Sequence, residues 1–241
     1  MKKLLAGLLL VSSVLSFGAT QRVPIEKLVG NGDGQLLYLE GENKPYSGEV
    51  ERKYPNGKLL GVATMKNGKL EGKAYEYYEN GKVKREETYV DGKANGVAKS
   101  FHENGQVEYE TNFKNSKREG IEKAYSKTGI LLSEVPFKND NATGLVKLYN
   151  EQTGKLEYET NIVNGVRNGL SKKYYPSGKL LSEVVFKNDK EEGIMKAYYE
   201  NGKLQGEAPY KNGQIDGVVK MYDENGKVIE QATFKNGQQV K

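Results

Sequence analysis

The chain has 241 residues, a formal charge of +5, 29 glycines, 17 tyrosines, one histidine, and neither cysteine nor tryptophan. Without cysteine no disulfide can hold it, and with a single histidine a transition-metal site has few ligands to draw on. Its 37 basic residues are interspersed with 32 acidic ones, which argues against a nucleic-acid binder, whose positive charge gathers on one face.

The chain opens with a targeting signal. Lys2 and Lys3 give a positive start, Leu4 to Leu15 an apolar run, and Ser16-Phe17-Gly18-Ala19 small residues for cleavage. A cut after Ala19 and a cut after Gly18 are both open, and the second fits Ser16 better than the first fits Phe17. An uncleaved anchor is the alternative, but the run is short against the ~20 residues that span a bilayer. No cysteine follows it, so lipid attachment through an N-terminal cysteine is excluded. The expectation is a soluble protein exported to the periplasm, envelope or exterior, with residues 1–19 as signal, 20–37 as lead-in and 38–241 as the folded array. In the lead-in, Gly30-Asn31-Gly32-Asp33-Gly34 lacks both the P-loop lysine and calcium-loop spacing, and reads as a flexible approach to the first strand.

From there one unit recurs. Its first glycine stands at Gly57, Gly81, Gly105, Gly129, Gly154, Gly178, Gly202 and Gly226, in steps of 24, 24, 24, 25, 24, 24 and 24 residues. Such a period marks a stacked repeat architecture. Within each unit, Asn-Gly-like turns separate short β-favouring runs, a hairpin signal, and no helical periodicity is present. A second periodic glycine follows at Gly48, Gly72, Gly96, Gly120, Gly144, Gly169, Gly193 and Gly217, where positive φ is expected.

Stacking the units yields columns. Met65, Tyr89, Phe113, Phe137, Ile162, Phe186, Tyr210 and Phe234 form one; Leu59, Val83, Val107, Leu131, Leu156, Leu180, Leu204 and Val228 form another. Their even offsets from the first glycine predict that both lie on one packing face. The first turn allows two registers. A two-residue turn places Lys99 opposite Glu110, Lys123 opposite Glu134, Lys172 opposite Glu183 and Lys196 opposite Glu207. A three-residue loop, suggested by Pro55-Asn56-Gly57 and Pro176-Ser177-Gly178, places Tyr198 opposite Leu204, with lysines edging the apolar face and glutamates on the other. The second is preferred, because it makes the apolar face continuous.

Units of the form Tyr-x-Asn-Gly-Lys-Leu and Phe-Lys-Asn-Gly-Lys-x-x-Gly resemble the bacterial variant of MORN repeats, also the repeat of YwqK-type antitoxins. The resemblance runs from about residue 38 to the C-terminus, and residues 38–48 resemble a truncated opening unit. It implies an all-β fold: an elongated, single-layer, twisted antiparallel β-meander. With roughly 16–18 strands at ~4.8 Å spacing the array would be on the order of 80 Å long.

Catalysis needs unlike groups converging at one place, and here like groups spread along a rod. No catalytic residue, cofactor or metal site is assigned. His102 stands in a column otherwise filled by Tyr54, Tyr78, Tyr175 and Tyr199, and these five are candidate partner-binding residues, since tyrosine is enriched at interfaces. Lys117 and Arg118, in the most basic turn, complete the set. The function expected is a non-enzymatic exported scaffold for a protein partner in the envelope. An immunity or antitoxin role, implied by the resemblance, is one alternative; a membrane- or cell-wall-associated module is another. Without Lys2 and Lys3 the excess is +3, 35 basic against 32 acidic, which disfavours strong attraction to anionic lipid. The oligomeric state is left open.

Overall fold

The computed structural model describes residues 22–30 and 36–240. The expected signal peptide and most of the Gly30 to Gly34 segment lie outside them. From Gly48–Lys53 to Gln238–Val240 the chain runs as one antiparallel meander of successive hairpins, and with Val23–Pro24 it makes a sheet of 22 strand segments. Among the described residues the only helical element is the single 3-10 turn Ile25–Lys27.

The described residues of the lead-in form short strands and one 3-10 turn. Val23–Pro24 adds to Gly48–Lys53 as the one parallel pair, so the sheet is mixed where a purely antiparallel one was expected. Leu28–Gly30 and Leu37–Leu39 form a separate antiparallel pair. Leu37 N donates to Gly68 O (3.0 Å), Gly68 N to Tyr46 O (2.7 Å) and Tyr46 N to Leu37 O (2.9 Å), which ties this pair to the first repeat. The otherwise bare edge of Gly48–Lys53 is covered at Val50 and Glu51 by Val23–Pro24.

At the first turn, Tyr54 N donates to Lys58 O (2.8 Å) and Gly57 N to Tyr54 O (2.9 Å), enclosing the three-residue loop Pro55-Asn56-Gly57 with Gly57 at φ +80°. The loop is therefore the longer one. One step into the strands the register slips: Lys53 pairs with Leu59 but Arg52 with Gly61, leaving Leu60 unpaired. The same bulge puts Tyr198 opposite Leu204 and Ala197 opposite Gly206. Past it, Lys196 faces Glu207, so the lysine–glutamate pairing of the shorter turn is realised as well. The two registers are not alternatives, because a bulge adds one residue to one strand and converts the first into the second.

The bulge also overturns the expected faces. Paired residues share a side and successive ones alternate. Tyr198/Leu204, Lys196/Glu207 and Ile194/Pro209 therefore project from one face, and Ala197/Gly206, Met195/Ala208 and Gly193/Tyr210 from the other. The aromatic column at Tyr210 and the leucine column at Leu204 lie on opposite faces, and lysines and glutamates lie on the same one.

Burial identifies the face that packs. Val50, Met65, Ala94, Ala98, Thr111, Val146, Thr160, Ser171 and Phe186 are buried, all on the aromatic-column side. Among the described residues no second layer covers them, and side chains of adjoining repeats on this side shield one another. The Arg118 guanidinium stacks on Phe137 at 3.9 Å and that of Arg167 on Phe186 at 4.0 Å. Thr160 and Ser171 satisfy each other's hydroxyls on the same line.

The second turn is a two-residue I′ type: Lys66 pairs with Lys69 across Asn67 (φ 50°) and Gly68 (φ 78°). In three copies the glycine is replaced, by Ser116 (φ 63°), Asp140 (φ 69°) and Asp189 (φ 63°). Each replacement offsets its backbone strain with a side-chain bond to the preceding turn. Ser116 accepts from Ala94 N (3.0 Å), Asp140 from Arg118 N (2.8 Å) and Asp189 from Arg167 N (3.1 Å).

Candidate interaction surface

The face turned away from the packed side carries three parallel stripes. Down its middle runs an unbroken ladder of alternating charge. Glu86 faces Lys99, Lys99 faces Glu110, and the pairing continues through Lys123, Glu134, Lys147, Glu159, Lys172, Glu183, Lys196 and Glu207 to Lys220. Ion pairs close at 3.6 Å for Lys99–Glu110, 3.6 Å for Lys172–Glu159 and 3.4 Å for Lys220–Glu207. Each such half-exposed pair is worth ~0.2–1 kcal/mol.

On the first-turn side of the ladder, tyrosines lean onto the glutamates. Tyr149 donates to Glu134 (2.9 Å), Tyr174 to Glu159 (2.7 Å), Tyr198 to Glu183 (2.7 Å) and Tyr222 to Glu207 (2.8 Å). Burial first, then the hydrogen bond and negative charge of the partner carboxylate, push the phenols of Tyr149, Tyr174 and Tyr198 up to about 12. The hydrogen bond from Tyr222 holds Glu207 below its ordinary value.

On the second-turn side the ladder is bordered by aliphatic side chains. Val97, Ile121, Leu145, Leu170, Ile194 and Val218 directly follow the periodic second glycine in the last six repeats, and they are 37% to 53% exposed. Across from them stand Pro136 (opposite Ile121), Val185 (opposite Leu170) and Pro209 (opposite Ile194). Singly exposed aliphatics are ordinary on a protein surface; a row of them, one per repeat, is not. Sequence reasoning missed this column. Its signal was the motif Gly-aliphatic-x-Lys, as in Gly120-Ile121-Glu122-Lys123, which places the aliphatic residue on the same side as the ladder lysine.

Outside the ridge, at the edge of the same face, Lys114, Lys138, Lys187 and Lys211 are exposed and enter no ion pair among the described residues. Four aspartates of this edge are held in ion pairs, whereas Glu119 and Glu192 accept from the backbone N–H groups of Asn139 (3.1 Å) and Asn212 (2.9 Å). Asp91 pairs with Lys69 (2.7 Å), Asp189 with Arg167 (2.9 Å), Asp216 with Lys235 (3.0 Å) and Asp140 with Arg118 (3.7 Å). The Arg167 guanidinium holds Asp189 below its ordinary value.

The candidate residues read from sequence fall elsewhere. Tyr54, Tyr78, Tyr175 and Tyr199 lie half-buried at the first turns. Their hydroxyls donate to the backbone carbonyls of Tyr77 (2.7 Å), Phe101 (2.5 Å), Tyr198 (2.7 Å) and Tyr222 (2.7 Å) in the following repeat. His102 makes the equivalent bond from Nε2 to Tyr125 O at 3.0 Å, which requires the proton on Nε2. The column fastens one repeat to the next. Lys117 and Arg118 stand at the opposite edge of the sheet, a strand length away, so the set is not brought together. Lys117 is exposed, whereas Arg118 is occupied by Phe137, Asp140 and Glu122. Among the described residues no group of three or more His, Cys, Asp or Glu side chains is placed to hold a metal ion.

Compared with known proteins, the chain matches the MORN repeat variant over residues 46–67, 70–91, 94–115, 118–139, 167–188, 191–212 and 215–236. The stretch between 139 and 167, which contains the one-residue insertion, is unmatched, yet its strands Gly144–Tyr149 and Leu156–Val163 keep the same pairing and bulge. No curated protein matches at a significant level. Among solved structures, TarM is similar with 13% identity and a TM-score of 0.30, over 41% of this chain and 19% of that one. A porin-like protein from Bacteroides uniformis is similar with 12% identity and a TM-score of 0.22, over 84% and 90%. The chain thus spans about a fifth of the length of TarM, and similarities this low carry no argument about function. The repeat matches cover well over half of the residues and coincide with the hairpins of the sheet: the chain belongs to the MORN repeat variant family.

Proposed function

We propose that the chain is a non-enzymatic, exported scaffold that binds a protein partner in the cell envelope, and that it does so on the ladder face, along the aliphatic ridge. The observation that supports this is the exposure of one aliphatic residue per repeat, from Val97 to Val218, beside a charged stripe whose groups already satisfy one another. The family match favours a repeat scaffold or binding module, and the N-terminal signal read from the sequence supports export. The experiment is in-cell photocrosslinking from positions 121 and 194, with position 117 as a comparison, combined with fractionation of the tagged chain. One protein captured from the ridge in the envelope fraction is expected. Retention in the cytosol, or no partner from any position, would overturn the proposal. Neutralisation of a toxin is a narrower form of the same reading, and a toxin recovered at the ridge would establish it.

A further inference from the structure

We propose that the ladder face carries two equivalent docking sites, each taking an acidic segment of the protein partner with an apolar side chain at its centre. This rests on the scaffold reading and names the number and chemistry of the partner's contacts.

Two stretches of the ridge are copies of one another. Lys114 faces Lys117 across a second turn, Ile121 faces Pro136 just beyond it, and Lys138 ends the proline's strand. Three repeats further on, Lys187 faces Lys190, Ile194 faces Pro209, and Lys211 ends the strand. None of the other repeats combines the lysine pair, the isoleucine, the proline and the third lysine. Paired residues share a side, so each set projects together from the ladder face. The likeness extends to the support beneath. Pro136 Cγ lies 2.9 Å from where a Cβ on Gly144 would stand, and Pro209 Cγ 2.7 Å from where one on Gly217 would. Each ring is thus seated on a glycine of the following strand. Thr143 N donates to Pro136 O and Asp216 N to Pro209 O, both at 2.9 Å.

Exposure singles out the same two places. Ile121 at 52% and Ile194 at 53% are the most exposed side chains of the ridge, against 37% to 47% for Val97, Leu145, Leu170 and Val218. Each is an apolar anchor raised beside a rigid proline, where a partner's apolar side chain can be seated.

Charge names the ligand. Like charges directly opposite one another in a sheet are destabilising. In the first repeat the pair Lys66–Lys69 is relieved, because Asp91 holds Lys69 at 2.7 Å. At the two sites nothing does this: Lys114, Lys117, Lys187 and Lys190 are exposed and enter no ion pair among the described residues. Lys138 and Lys211 add a third such lysine to each. The nearby acids are committed elsewhere. Asp140 and Asp189 hold Arg118 and Arg167, Glu119 and Glu192 hold backbone N–H groups, and Asp216, whose charge reaches Lys211, holds Lys235. The complement of an isoleucine flanked by three uncompensated ammonium groups is an apolar side chain flanked by carboxylates. Local rules are broken where function requires it, and here the same unfavourable pairing recurs beside both of the most exposed isoleucines. A bilayer would present one anionic surface to every repeat and gives no reason for the set to occur in only two. Two discrete copies fit a partner that presents the same segment twice.

The test uses the full mature chain with ¹³C-labelled isoleucine δ1-methyl groups and the peptide Asp-Glu-Asp-Leu-Phe-Glu-Asp-Glu. Ile121→Val and Ile194→Val assign the two signals. On titration both should shift with dissociation constants within about twofold of each other, while Ile130 and Ile162 stay still, and added salt should weaken both severalfold. A peptide with serine in place of Leu-Phe should bind at least tenfold more weakly. Lys114→Gln with Lys117→Gln should weaken binding at Ile121 severalfold and leave Ile194 unchanged. Four results on these samples overturn the proposal: no shift at millimolar peptide, a response at one isoleucine only, equal affinity for the serine peptide, or equal weakening at both sites by the lysine variant. Loss of both signals on phosphatidylglycerol vesicles that the peptide does not displace, or a dimer in analytical ultracentrifugation that Ile121→Ser with Ile194→Ser dissociates, overturns it by naming another occupant. If the peptide fails while position 121 still crosslinks an envelope protein, the scaffold reading stands and only the two-site chemistry falls.

Discussion

Replacing Phe186 and Ile194 by alanine, one at a time, measures whether the two faces are assigned correctly. The residues belong to adjacent strands of one sheet, but Phe186 is 5% exposed and Ile194 is 53% exposed. Truncating a phenylalanine in a closed core costs ~3–5 kcal/mol. Here only one side of the ring is enclosed by the sheet and the other by the Arg167 guanidinium at 4.0 Å, whose flexible stem can settle into the space. The expected cost is therefore the lower end, about 3 kcal/mol, of which ~0.5–1 kcal/mol is the lost cation–π contact. Ile194→Ala removes side chain that is already wet and should stay within ~0.5 kcal/mol of the parent. Urea unfolding followed by far-ultraviolet circular dichroism reads the difference as a midpoint shift, with an unchanged slope confirming that the same surface unfolds. If Ile194→Ala costs as much as Phe186→Ala, the aromatic-column side is not the packed one and the reasoning about faces is wrong.

Three further outcomes follow from the stripes and turns. Lys172→Glu puts like charges opposite both Glu159 and Glu183, and should destabilise by ~1–2 kcal/mol at low salt, with the loss shrinking as salt is added; thermal melts at two ionic strengths check it. Tyr149, Tyr174 and Tyr198 have phenols held near 12 when folded against about 10 when unfolded, so their contribution is intact below pH ~10 and is lost as pH rises toward ~12; tyrosinate absorbance should appear together with alkaline unfolding, and glutamine in place of Glu134, Glu159 and Glu183 should change that pH dependence. Gly72 sits at φ +79° with nothing within 4 Å of an added Cβ, so Gly72→Ala should cost ~1–2 kcal/mol from backbone strain alone, and Gly72→Asn less, as urea midpoints would show.

Much of the architecture was legible because it depends on local chemistry. An Asn-Gly pair such as Asn67-Gly68 needs positive φ at both positions, and few other pairs supply it cheaply. The 24-residue beat and the Pro55-Asn56-Gly57 loop followed in the same way. The faces were not legible, because a single unpaired residue such as Leu60 or Gln205 inverts every side chain beyond it, and nothing in the side chains at those positions announces a bulge. That inversion hid the ridge: Ile194 stands in a column that the sequence does not single out, while the hydroxyl of the candidate Tyr199 donates to Tyr222 O.

The sequence by itself determined the repeat, its turns and the family, since these rest on glycine, asparagine and proline acting within a few residues of themselves. Only the tertiary structure decided which columns are packed and which are presented. That outcome depends on the register between strands and on how side chains of adjoining repeats shield one another, and both are properties of many repeats acting together.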